Sequence, residues 1–275
     1  MRKIFALLSM IVALSPSSAV LAQEGAQQFE KFQLQGYTEG GAKAWEVKGD
    51  TADVRGSIID LTNVDANHYG EQDVNLKAKK GQMDKESGNI HLEKDVVITS
   101  ETGSQLTTDY LDWHKNDDLV TTEAVVTITD AAMTAVGKGL EAHPGLKTAE
   151  MKEDVTVTVN TKPKNPESGQ IVTITCDGPM EVDHKNSKAT FNKNVVAFET
   201  DRILKADIME IFFDPQSNQI KEAVCTGHVE IIQGGNTTHS DMAVYSGADQ
   251  KLTLTGRPKL IMLMEGKDAI PAFQK

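Results

Sequence analysis

The chain has 275 residues, a net charge of −12, a quarter of its residues charged and only 5% aromatic. That length holds one large or two modest domains. The acidic balance excludes broad nucleic-acid binding, which needs clustered Lys and Arg, and argues against a polybasic membrane patch. It leaves open an amphiphile held by its apolar part. Two cysteines, Cys176 and Cys225, are too few for a disulfide framework. Whether they pair stays open, because spacing along a chain does not set separation in space.

In chain order, residues 1–22 read as an export signal. Arg2 and Lys3 are followed by an apolar run from Ile4 to Leu14, a break at Ser15-Pro16, and Val20-Leu21-Ala22 at the cleavage position. The run is shorter than the ~20 residues that span a bilayer, although an uncleaved anchor is the alternative. The mature protein is then expected outside the cytoplasm. Residues 23–35 are Gln-rich and read as a tether or a first short helix.

From Gly36 the pattern becomes strand-like. Trp45 and Val47 alternate with charges, and short strands follow at Ile58–Leu61 and from Val74 to Ala78. Then come Leu106–Trp113, Leu119–Thr129, Met133–Ala142 and Thr148–Val159. A first run of strands therefore covers 36–160. A linker loop at 161–170 carries Pro163 and Pro166. A second run covers 171–265, and 266–275 reads as a tail. The clearest unit is Thr175–Phe213, in which a strand ends on Asp183, turns through His184–Lys188, returns through Ala189–Phe198 and starts again at Leu204. Alternation broken by turn residues predicts antiparallel strands with one buried face each.

This unit repeats. Returning strands begin apolar runs at Val96, Val125, Val155, Val195, Val229 and Pro258, while outgoing strands carry Thr108-Asp109, Cys176-Asp177, Ala206-Asp207 and Ser240-Asp241. Such self-similarity predicts an all-β protein of stacked antiparallel strand repeats.

No phosphate loop, His-Glu-x-x-His pair or nucleophile elbow is present. Gly137-Lys-Gly139 sits inside a strand pattern and reads as a bend. The histidines are scattered, so no metal site is expected, nor any catalytic residue or cofactor. Asp109, Asp177, Asp207 and Asp241 share one register, which suits a structural ladder better than a convergent acid pair. A β-helix or β-sandwich enzyme acting on an envelope polysaccharide, or a surface structural repeat protein, is the alternative. The more informative feature is apolar. The groove candidates, from their shared strand faces, are Val195, Met209, Ile211, Phe213, Val229, Ile231, Leu252, Leu254, Val96, Ile98, Leu111 and Trp113. Ala197, Leu260 and Met262 fall on the same faces. They make either an ordinary core or the lining of a groove for acyl chains.

Two sets of residues resemble the lipopolysaccharide transport proteins. Gly36-Tyr37, Trp45-Glu46-Val47, Lys79-Lys-Gly81, Met83-Asp84, Leu106-Thr-Thr-Asp109 and Gly137-Lys-Gly-Leu-Glu-Ala142 are similar to LptC. Cys176-Asp177, Asn194-Val195, Ala206-Asp207, Phe213-Asp214, Gly227-His-Val229 and Ser240-Asp241 resemble the LptA/OstA repeat. The resemblance implies a twisted β-jellyroll of two facing sheets, open at its ends, with an LptC-like unit over 36–160 and an LptA/OstA-like unit over 171–265. One long jellyroll is the alternative. It also implies a periplasmic bridge, without catalysis, whose apolar groove shields the acyl chains of lipopolysaccharide on the way to the outer membrane. The partners implied are lipopolysaccharide, the inner-membrane ABC transporter, and other Lpt jellyrolls joined by end-to-end strand pairing. The chain departs from LptC in having a leader that looks cleavable, and from both families in carrying the two parts together.

Overall fold

The computed structural model describes residues 27–70, 73–143, 146–161, 170–217 and 219–262. The expected leader, the tail and most of the 161–170 loop lie outside the described residues. The first strands are β1 (Gln27–Tyr37), β2 (Lys43–Arg55), β3 (Ile58–His68), β4 (Val74–Asp84), β5 (Ile90–Ser100) and β6 (Gln105–His114). Then come β7 (Leu119–Thr129), β8 (Met133–His143), β9 (Thr148–Thr161), β10 (Gln170–Cys176), β11 (Met180–Asp183) and β12 (Lys188–Glu199). The last are β13 (Arg202–Phe213), β14 (Ile220–Gln233), β15 (Asn236–Ser246), β16 (Lys251–Thr255) and β17 (Lys259–Ile261). A 3-10 turn at Lys115–Asp117 lies between β6 and β7. Among the described residues no helix is long and apolar enough to cross a membrane.

The strands form one antiparallel 17-stranded sheet. It runs as a meander from β1 to β16 and β17. β10 and β11 together fill one strand's place between β9 and β12. The sheet therefore continues without a break from β9 into the second run of strands. Residues 27–35, expected as a tether or short helix, are instead most of β1, which pairs from Gln27↔Val54 to Tyr37↔Lys43. A glutamine-rich segment gives little periodic signal. Its backbone takes the strand form because β2 offers it a row of partners.

Most long strands bend near their centres. The register slips at Lys77/Lys80, Glu93/Val96, Asn192/Val195, Lys205/Ile208 and Thr226/Val229. Left-handed residues mark the bends, including the pairs Lys94-Asp95, Lys193-Asn194 and Gly227-His228. Bulges bend a strand and increase its twist. Because the bends lie side by side, the sheet is creased along one line, and the half-strands on either side form two facing layers. This is an all-β, jellyroll-like architecture.

The residues along the crease follow a rule. Returning strands place Val64, Val96, Val126, Val155, Val195 and Val229 there. The strands paired with them place Ala78, Thr108, Gly137, Cys176, Ala206 and Ser240 opposite. All of these valines are buried. A sharp fold brings the two layers closest at this line, so bulky and small side chains must alternate across it. Each buried valine contributes roughly 1.5–3 kcal/mol. Val126, not Val125, holds the position in β7. The register slips between Thr122 and Val125, which leaves Val125 58% exposed on the outside.

Gly137 and Gly139 form the bend in β8. A Cβ on Gly137 would run into the Met151 side chain, and Gly139 has φ +73°. Only glycine meets both demands cheaply.

Candidate apolar groove

Away from the crease, the inward positions line up across the strands. In one layer a row runs Leu76, Ile98, Leu106, Ile128, Ala135, Val157, Ile174, Ala197, Leu204 and Ile231. In the other layer, nearest the crease, Leu140, Met151, Met180, Phe191, Met209, Cys225, Ala243 and Leu254 form a second row. Further out, towards the strand ends, a third row passes from Met83 through Ile90, Trp113, Val120, Ala142, Ala149, Val182, Ala189, Ile211, Ala223 and Tyr245 to Leu252. None of these three rows contains a charged residue.

Burial grades across them. Val96, Val195 and Val229 at the crease are closed off, Leu111, Met209 and Ile231 are buried beside it, and Ile211 is buried further out in the third row. Ile98, Phe213, Leu252 and Leu254 are half-buried, and Trp113 at the end of β6 is 36% exposed. The interior is thus a wedge, shut along the crease and as far out as Ile211 in the middle strands, and opening beyond it at Phe213 and Trp113 and at the last strands, where Leu252 and Leu254 stand. The residues picked from sequence face into it from both layers. Leu260 continues the first row beyond Thr238, but at the end of the sheet it is 57% exposed. Sequence reading missed Leu140, Met151, Met180, Phe191 and Cys225. Their signal lay in register between strands rather than in alternation along one.

Two family models match this chain. One, described as lipopolysaccharide-assembly, LptC-related, matches residues 12–160, more than half of the chain. The chain belongs to the LptC-related lipopolysaccharide-assembly family. The other, described as an LptA/(LptD N-terminal domain) LPS transport protein, matches residues 173–272. No curated protein matches the chain. The two matches give it a role in lipopolysaccharide transport.

In this LptC-related chain the boundary between the matched segments falls at the β9–β10 pairing. All three apolar rows cross it: at Val157↔Ile174, at Met151↔Met180 and at Ala149↔Val182. The core of buried residues likewise runs from Val126 to Ala243, on both sides of the boundary.

The repeated aspartates lie on the outer side of the crease. Asn194 Nδ2 donates to Asp177 Oδ2 at 2.6 Å, and His228 Nδ1 stands 2.8 Å from Asp207 Oδ2. Asp241 packs against Gly256. These three therefore brace the bend of the next strand, and all four aspartates are exposed rather than gathered on a substrate site. Among the described residues no group of His, Cys, Asp or Glu is arranged to hold a metal.

Cys176 and Cys225 are free and buried. Burial pushes the Cys225 thiol up to about 12 and also raises Cys176. Both serve as small apolar side chains, one at the crease and one in the second row.

Proposed function

We propose that this chain is a periplasmic bridge segment, without catalysis, that holds the acyl chains of lipopolysaccharide between its two layers while the sugars stay in water. The unbroken inward apolar rows, which cross from the LptC-like segment into the LptA-like one, carry this reading. A hydrocarbon chain gains about 0.8 kcal/mol for each CH2 it buries, so a continuous wall lets it move along without meeting water. Keeping both units in one chain replaces a docking step between two proteins and raises their effective concentration. Lipopolysaccharide enters from the inner-membrane ABC transporter and leaves toward the outer membrane. The backbone edges at β1 and at β16 and β17 are suited to strand pairing with other Lpt jellyrolls. The units are 36–160 and 171–265. The groove residues are Val96, Ile98, Leu111, Trp113, Val195, Met209, Ile211, Phe213, Val229, Ile231, Leu252 and Leu254, with those nearest the strand ends touching lipid most.

A photo-crosslinking residue at Phe213 tests this in growing cells. Phe198, 48% exposed on the outer face, is the control with the same side chain. The expected result is a lipopolysaccharide adduct at position 213 and none at 198. Equal labelling of the two, or none at 213, 211 and 231 in well-expressed protein, would leave the interior as an ordinary core.

A further inference from the structure

The outsides of the two layers differ. Outside the layer that carries Leu140 and Ile211, one row of outward positions holds Asp60, Asp112, Glu141, Glu150, Glu181 and Glu210. Outside the layer that carries Ile98 and Ile231, the outward positions are uncharged over most of the sheet. One row there runs from Asn75 through Thr99, Gln105, Thr129 and Thr158 to Thr173, and continues as Phe198, Ile203 and Ile232. The row beside it runs from Val97 through Thr127 and Thr156 to Val196. It is bordered by Lys77, paired with Asp65 at 3.6 Å, and by Lys205, paired with Glu230 at 2.9 Å.

Threonine and valine are good strand formers, which accounts for them on an outer face. It does not account for Phe198, Ile203 and Ile232 side by side on the outside of adjacent strands. Phe198 is 48% exposed, and Ile171, one step out from the Thr173 that pairs with Phe198, is 58% exposed. Contiguous exposed apolar surface marks a contact with a partner.

Charge, size and shape point to a second copy of this chain. With a net charge of −12, two copies repel wherever their acidic faces meet. The uncharged strip sets no charge against itself, and the charges that border it are already paired. Strands lie about 4.8 Å apart, so the first row spans roughly 50 Å. Two rows about 7 Å apart make a strip on the order of 700 Å², close to the ~800 Å² that each partner buries in a stable complex. Sheets of like twist pack face to face with their strands about 30° apart. A two-fold axis in the plane of contact, through Ile203, then sets Phe198, Ile203 and Ile232 against the same three residues of the second copy, as an isologous contact requires.

We infer that two copies of this chain pair back to back through this outer strip, with Phe198, Ile203 and Ile232 at its centre. An apolar centre inside a polar rim is the usual layout of a protein interface. The contact leaves the interior and the strand edges of both copies free, so it depends neither on what the interior holds nor on edge pairing.

The test is sedimentation of the purified full chain over a range of concentrations, with a photo-crosslinking residue at position 198. The expected result is a reversible dimer that crosslinks into a band of twice the chain's mass from position 198, and not from Thr190 on the outside of the other layer. Phe198→Glu sets like charges into the centre of the contact from an exposed position. It should weaken the dimer at least about thirtyfold with an unchanged circular dichroism spectrum. Ile232→Thr, which restores the residue type of the neighbouring outer positions, should weaken it about tenfold. A chain that is monomeric at every concentration overturns the inference. So does a dimer that both substitutions leave intact, or one that crosslinks from Gln28 at the β1 edge instead of from 198. A crosslink from 198 in cells to a different protein or to lipid, with no band of twice the mass, gives the strip another occupant and overturns it as well.

Discussion

Val195 and Leu252 both point into the interior, and both were chosen from the same alternation, yet they sit at opposite ends of the wedge. Val195 lies where the layers meet, opposite Ala206, and is fully buried. Leu252 lies out along the third row, packed against the core but only half covered. The crease is a solved packing problem, with each valine fitted to a small neighbour. Leu252, on the last strands of the sheet, has no equivalent cover. Stability should therefore reside at the crease and ligand contact at the mouth.

The most severe way to break this arrangement is at the boundary between the two family segments. Gly178 has φ +95°, and a Cβ there would run into the backbone of β9 at Lys152 and Glu153. Strain and overpacking together put the expected cost of Gly178→Ala at about 3 kcal/mol or more. Urea denaturation should show little folded protein. A loss below about 1 kcal/mol would mean that β9 and the β10–β11 strand part easily at this boundary.

Swapping crease for mouth sharpens the contrast. Val195→Ala opens a cavity in closed packing and should cost about 2 kcal/mol, with lipid crosslinking at position 213 preserved. Leu252→Ala should cost about half that in stability and reduce the crosslink. If both variants lose stability and crosslink in parallel, the two regions are not functionally distinct.

The smallest effect belongs to the turns outside both regions. Asp214 accepts the Ser217 and Gln216 amides and the Ser217 hydroxyl, which holds its carboxyl below the usual range. Asp84 and Asp183 are held low by similar turn bonds. A depressed carboxyl contributes stability that is present above its unfolded value near 4 and lost as pH falls through the lower folded value. The melting temperature should thus decline below about pH 4, and Asp214→Asn should soften that decline slightly. An unchanged acid profile in the variant would mean the turn carboxylates contribute nothing measurable.

Much of this was readable from the residues. Alternation and turn chemistry located the strands from β4 to β9 and from β12 to β16, because side-chain period and loop residues are local properties. The Val and Asp markers were visible for the same reason: every bend solves one steric problem with one set of residues. β1 was not readable, since a polar edge strand is held by its neighbour's backbone rather than by its own pattern. The mismatch at Val125 came from the same limit, because one slipped residue in a bulge shows only against the strand beside it.

The sequence by itself determined that this is an acidic all-β repeat protein with one apolar face per strand. Its markers also carried the likeness to LptC and LptA that the family models match. Only the tertiary structure decided that the apolar faces join into rows running across the boundary between the two segments, and that some inward residues are sealed at a crease while others stand open. Those properties depend on register between strands far apart in the chain and on the distance between two layers. Neither is written in the periodicity of any single strand.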